Sequence, residues 1–345
     1  MIKTIELKNF TVIHDDLLEF GPGLNVFVGQ SGMGKSHLLK LLYVLSAFAS
    51  NPSARAPASV LAANLHRSLL ENFLPEELCR LIRRRKDANQ CQADIGFDDD
   101  HCDLSFKISA RSNLTIHKRP TKFPQGAVFL PSRELMTLCP WFPPAYDIYH
   151  LEFERAWRDT CILLQAPGRK GPRNQAASAL LTELENALQG RIIMDAATNR
   201  MYLQTGDGSF EMPLVAEELR KLGMLYRLIQ TGTFEDRKIL FWDAPEAHAN
   251  PKCIRLIAKC LWSLASQGVQ IFIASQSPVL IRALMMLQKN AAEGETTQSV
   301  RCFSLKGPEE AIEAIEAAGD LEDIAESLEL DEKESQLNKS ATMEV

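Results

Sequence analysis

A chain of 345 residues with 46% hydrophobic and 24% charged residues has ample sequence to bury a core, which excludes the disordered and fibrous classes. Its net charge of −6 argues against a surface that coats nucleic acid by bulk electrostatics, and no apolar run reaches the roughly 20 residues of a membrane-spanning helix. The eight cysteines are scattered without a C-x-x-C pair, which fits reduced thiols in a cytoplasmic protein better than a disulfide framework.

The first residues alternate like a strand and lack the apolar centre of a signal peptide. Residues 2–10 and 17–20 predict a hairpin, with Phe10 and Phe20 as core residues. A short apolar strand, Leu24-Asn25-Val26-Phe27-Val28, leads into Gly29-Gln30-Ser31-Gly32-Met33-Gly34-Lys35-Ser36, a complete G-x-x-x-x-G-K-[ST] sequence. His37-Leu38-Leu39-Lys40-Leu41-Leu42 then opens a helix. Strand, glycine-rich loop and helix in this order form a phosphate-binding loop: inward-turned backbone N–H groups and the positive helix end face phosphate oxygens. Lys35 is expected to reach the β- and γ-phosphates, and the Ser36 hydroxyl to ligate Mg²⁺. The predicted cofactors are ATP and Mg²⁺.

Beyond a breaker-rich link at 51–57, Leu61, Leu65, Leu69, Leu70 and Phe73 predict helix over 59–85. Its end carries a basic run, Arg80, Arg83, Arg84, Arg85 and Lys86; a second, Arg169, Lys170 and Arg173, falls in a Gly/Pro-rich loop. Such runs are usually solvated faces, and they leave nucleic acid open as a partner that net charge does not indicate. Strands are expected at 92–97, 103–109, 113–118 and 127–130, the last ending at Pro131-Ser132-Arg133-Glu134. Cys91, His101 and Cys102 lack the second close pair that a metal site needs.

Residues 151–189 read as helix broken at 167–172, and the acids Asp147, Glu152, Glu154 and Asp159 as its solvated side rather than a nuclease site. A hairpin follows at 191–194 and 201–204 with Asn199 near its turn, then an amphipathic helix marked by Leu219, Leu222, Leu225 and Ile229. Strands at 238–242 and 269–274 each precede a helix, and 300–305 forms a last strand. The acidic remainder from 309 suggests one or two helices through Ile312, Ile315, Leu321, Ile324 and Leu328. The pattern is that of an α/β P-loop protein: core at 1–50 and 191–307, a helical and β insertion or lid at 51–190, and a tail at 308–345.

The strand Ile239-Leu240-Phe241-Trp242-Asp243 ends in an acid suited to help hold Mg²⁺. With Asn9-Phe10, Gly21-Pro22-Gly23-Leu24-Asn25-Val26, the phosphate loop, Asp243-Ala244-Pro245-Glu246 and Asn250-Pro251, the chain resembles ABC-type ATPases of the SMC/RecF/OLD-like branch. Within it, the chain is similar to compact bacterial AAA-family ATPases of phage-defence and abortive-infection systems. The resemblance implies a mixed sheet flanked by helices. It also implies a head-to-tail homodimer or higher oligomer around two ATPs and control of a separate effector protein. Each site would combine one subunit's phosphate loop with the other's signature helix, starting near Val215-Ala216-Glu217-Glu218, so Ala216 and Asn250 are read as cross-interface nucleotide contacts.

Three positions depart from the family pattern. Ala244 stands where a glutamate serves as general base, Gln276 where a histidine contacts the γ-phosphate, and Glu218 where glycine is common. Ala244 is either a substitution introduced to trap the ATP-bound form or the residue of a chain that binds ATP without efficient turnover. Glu246 keeps the second acid but lies beyond a proline. A non-hydrolysing scaffold, a DNA repair or maintenance ATPase and a P-loop kinase are the competing readings, and the last is separated by whether ATP loss needs an added phosphate acceptor.

Overall fold

In the computed structural model, which describes residues 1–13, 15–51, 57–85, 88–169, 171, 175–195, 197–292, 300–305 and 312–315, β1 (Ile2–Lys8) and β2 (Asp16–Glu19) form an antiparallel pair. Phe10 and Phe20 are buried, as expected. Strand β3 (Leu24–Val28) is covered on both faces, and the glycine-rich loop after it runs into α1 (Lys35–Ala49). Helix α2 (Ala58–Phe73) stops twelve residues short of the expected end (85 minus 73). Leu74 takes a left-handed conformation ahead of Pro75, which cannot continue a helix. Leu78–Leu81 forms a short 3-10 turn, so Arg83, Arg84 and Arg85 lie on a loop rather than a helix end, and Lys86 falls outside the described residues.

Strands β4 (Gln90–Phe97), β5 (Leu104–Ser109) and β6 (Leu114–Lys118) extend the first sheet in the order β2-β1-β4-β5-β6. Strand β7 (Gly126–Leu130) leaves for a second sheet. Helix α3 (Phe142–Tyr149), not anticipated from the sequence, accommodates its prolines in the first turn, where their missing N–H groups cost nothing. Helices α4 (Arg155–Gln165) and α5 (Gln175–Leu188) flank the expected break. The hairpin of β8 (Gly190–Asp195) and β9 (Arg200–Thr205) gains an unanticipated third strand, β10 (Gly208–Glu211). All of its residues are exposed, so it carries no apolar alternation.

The amphipathic helix is α6 (Glu217–Gln230), followed by the single turn α7 (Thr233–Asp236) and β11 (Arg237–Asp243). Next come α8 (Pro251–Ser266), β12 (Gln270–Ala274), α9 (Pro278–Ala292) and β13 (Val300–Ser304). Residues 313–315 are not helical: β14 (Glu313–Ile315) pairs antiparallel with β13, and Leu321, Ile324 and Leu328 lie outside the described residues.

The second sheet has the order β14-β13-β3-β12-β11-β7, parallel except for β14. Alternation splits its side chains between two cores. Val26, Leu240, Trp242, Ile271 and Ile273 face α6, α8 and α9, while Phe27, Phe129, Phe241 and Phe272 face α1 and the first sheet. Phe241 and Phe272 stack with ring centres 5.0 Å apart. Fully buried Gln270 stitches the two sheets: it accepts from the Ile2 N–H at 2.8 Å and donates to the Ile2 and Gly21 carbonyls at 2.7 and 2.9 Å. Among the described residues no helix is long and apolar enough to cross a membrane.

Candidate functional site

Parallel strands deliver their C-terminal ends to one edge of a sheet, and here that edge carries the phosphate loop and Asp243. β3 runs out into the phosphate loop, β11 into Asp243 and Ala244, β12 into Ser275 and Gln276, and β7 into Pro131 and Ser132. Between them lies a cavity of about 530 Å³ lined by Ser31, Gly32, Gly34, Lys35, Ser36, His37, Ser132, Asp243, Ala244, Glu246, Ala247, Ala274, Ser275 and Gln276.

The loop's shape depends on its glycines. Gly29 has φ +137°, and a Cβ there would lie 2.2 Å from the Leu305 carbonyl oxygen. Gly34, at φ +92°, leaves no room beside Val12. Gly29 and Gln30 contribute their carbonyls, which accept from Lys35 Nζ at 2.6 and 2.7 Å. Met33 packs against the core on the side of the first sheet. Burial of Lys35 lowers its proton affinity, partly offset by Asp243 and Glu246.

The Ser36 hydroxyl donates to Asp243 Oδ1 at 3.0 Å. A hydroxyl and a carboxylate in contact are hard oxygen donors of the kind Mg²⁺ prefers, so these two residues fit the expected ion. Burial raises the pKa of Asp243, and its contact with Ser36 and the nearby Lys40 and Lys35 pull the other way. Gln276 bridges to the loop, donating from Nε2 to Ser31 Oγ at 3.2 Å.

The segment after Asp243 turns sharply. Ala244 has φ +43° and its N–H reaches the Ala274 carbonyl at 2.9 Å. Beneath it, Lys221 of α6 is fully buried; its Nζ donates to the Ala247 carbonyl at 2.5 Å and lies 3.5 Å from that of Ala244. Burial lowers the proton affinity of this amine as well. Lys221, Ser132 and Ser275 had no sequence signal as site residues, since neither a lone lysine in an amphipathic helix nor an isolated serine forms a pattern.

Two expected contacts lie away from the cavity. Ala216 sits at the N-terminal boundary of α6 without a side-chain hydrogen bond to it, and Asn250 caps α8, accepting from the N–H groups of Lys252 and Cys253 at 2.9 Å. Asn250 Nδ2 also donates to Glu218 Oε2 at 2.8 Å. Glu218 is thus turned onto Asn250, and both line a separate groove with Leu219, Leu222 and Lys252.

Arg133 is exposed beside Ser132. A neighbouring cavity of about 810 Å³ shares His37 and is lined by Thr11, Val12, Phe73, Arg80, Arg83, Arg84 and Arg85. Arg169 pairs with Glu235, while Lys170 and Arg173 fall outside the described residues. Of the acids read as a solvated face, Asp147 and Glu152 are exposed, and three form ion pairs: Glu154 with Lys40, Asp147 with Arg158, and Asp159 with Arg155 and Arg158. Cys91 and Cys102 are buried thiols and do not converge with His101. All eight cysteines are free.

No protein-family model matches the chain. Over 45 residues it is 44% identical to the DNA replication and repair protein RecF of Pediococcus pentosaceus, a match covering 13% of this chain and 12% of that protein. Over 98 residues it is 34% identical to the DNA repair protein RecN of Xylella fastidiosa, covering 27% and 16%. The chain therefore spans only a small part of the curated relatives it matches. Among solved structures, an Smc head domain of Pyrococcus furiosus bound to the C-terminal domain of ScpA aligns with TM-score 0.57 and 12% identity, over 94% of this chain and 98% of that one. The fold is that of the Smc head domains, and the local sequence matches are to RecF and RecN.

Proposed function

We propose that this chain is an ATP-binding head that closes on a second copy of itself around ATP and Mg²⁺, and by doing so controls a separate partner protein. The observation that carries this reading is the convergence of Lys35, Ser36 and Asp243 on one cavity at the carboxyl edge of the sheet.

Bound phosphates would replace the Gly29 and Gln30 carbonyls as partners of Lys35, and the loop N–H groups would take up phosphate oxygens. Ser36 and Asp243 would hold Mg²⁺, which supplies charge neutralisation for the β- and γ-phosphates. The cavity beside His37 and Phe73 suits the nucleoside end. Ala216 and Asn250 lie outside the phosphate cavity of their own chain, which supports a role across a subunit interface.

The experiment is nucleotide titration with a fluorescent ATP analogue alongside light scattering with and without ATP and Mg²⁺. Tight binding that Lys35→Ala abolishes, together with a doubled mass in ATP, is the expected result. Unchanged affinity in that variant would remove the site assignment, and an unchanged mass would remove the closing model.

A second reading, an ATPase of DNA repair or maintenance, is favoured by the local matches to RecF and RecN. A phage-defence setting rests on the resemblance of the motifs alone, and a cytoplasmic location on the scattered, unpaired cysteines.

A further inference from the structure

The resemblance places a general-base acid at position 244, where this chain has alanine, and an acid, Glu246, stands two residues later. Glu246 lines the same cavity as Lys35, Ser36, Asp243 and Gln276. Its carboxylate is held in place: Oε1 accepts from the Ser275 hydroxyl at 2.9 Å and from the Gln276 N–H at 3.0 Å. The other oxygen, Oε2, is buried without a hydrogen-bond partner. An orphaned buried acceptor carries the full cost of its desolvation, so its retention calls for something that completes it. Pro245 does not direct the side chain away, because the turn at Ala244 brings the segment back over the end of β12. Burial raises the pKa of Glu246 above that of an ordinary glutamate, the direction that strengthens a carboxylate as a proton acceptor.

We infer that Glu246 Oε2 accepts the proton of the water that attacks the γ-phosphorus, taking the place of the base missing at residue 244. The water oxygen forms its bond to phosphorus while the bond from phosphorus to the bridging oxygen of ADP breaks, the electron pair leaving with ADP. The proton passes to Oε2 and later to phosphate or solvent, so no co-reactant other than water is needed. The inference rests on the ATP-binding reading above and names the residue that turns binding into turnover.

The test uses the full chain with ATP and Mg²⁺. It measures phosphate release, binding of a fluorescent ATP analogue, and the nucleotide recovered from the protein by chromatography. The variants are Glu246→Gln, the double variant Ala244→Glu/Glu246→Gln, and Lys35→Ala as the blank. The unaltered chain should exceed the blank. Glu246→Gln should lose roughly 10²–10⁴-fold, or fall to the blank, while still binding the analogue and retaining intact ATP. The double variant should regain release, because a base is supplied from the neighbouring position.

Glu246→Gln releasing phosphate at the unaltered rate would overturn the inference. So would an unaltered chain that binds ATP yet stays at the blank. A double variant that binds ATP without release would also overturn it, since Glu246 would then be architectural. Failure of the unaltered chain to bind the analogue is a different failure: it removes the ATP-binding reading, and the inference falls with it.

Discussion

The Ser36 hydroxyl meets Asp243 Oδ1 at 3.0 Å although 207 residues separate them in sequence. Strands β3 and β11 flank β12 in one parallel sheet and end at the same edge, so the phosphate loop and the acid are brought together by strand order. That contact is the candidate Mg²⁺ seat, and it makes the first prediction specific.

Asp243→Asn keeps the size of the side chain and removes its charge. The Mg²⁺-dependent part of nucleotide affinity should fall by roughly tenfold or more, the scale of one lost charge-assisted contact. Analogue titrations with and without Mg²⁺ measure it; equal Mg²⁺ dependence in both proteins would place the ion elsewhere.

The nucleotide-free chain should show an inverted pH signature. Folding raises the pKa of both Asp243 and Glu246, so the folded state holds these protons more tightly than the unfolded state. The resulting penalty is absent below the ordinary carboxylate values and complete above the folded ones, so stability from this pair falls as pH rises. The melting advantage of Asp243→Asn/Glu246→Gln over the unaltered chain should therefore be larger at about pH 8 than at about pH 5. An advantage that shrinks with rising pH would contradict the sign.

The glycines of the loop should differ sharply in tolerance. Gly29→Ala places a Cβ 2.2 Å from the Leu305 carbonyl oxygen at φ +137°, and should cost more than about 2 kcal/mol in urea unfolding. Gly32→Ala meets open space at φ +85° and should cost only about 1–2 kcal/mol of backbone strain. Equal costs would mean that the contact with Leu305 does not shape the loop.

Lys221→Met separates stability from turnover. It frees the fold from burying an amine but orphans the Ala247 carbonyl, so the net change in unfolding free energy should stay within about 1 kcal/mol. Phosphate release should fall, because the tether between α6 and residues 244–247 is lost. A variant with the turnover of the unaltered chain would reduce Lys221 to a packing residue.

Local pattern accounts for much of what could be read in advance. The four apolar residues of β3, the glycine spacing up to Gly34, the Leu stripe of α1 and the acid closing β11 are each set by neighbours a few residues away. The end of α2 was also legible in principle, since Pro75 stands directly after Leu74. Strand β10 was not, because its exposed residues leave no alternation to detect.

By itself, then, the sequence determined the phosphate-binding loop, the acid-ended strand and the alternation of buried strands with helices, because these are periodic or contiguous signals. Only the tertiary structure decided that Lys221 lies beneath Ala244 and Ala247, that Glu218 turns onto Asn250, and that Ser275 and Gln276 hold one oxygen of Glu246 while the other is buried alone. Those meetings follow from burying both faces of a parallel sheet, which fixes strand order and register over long sequence separations and so leaves no local trace.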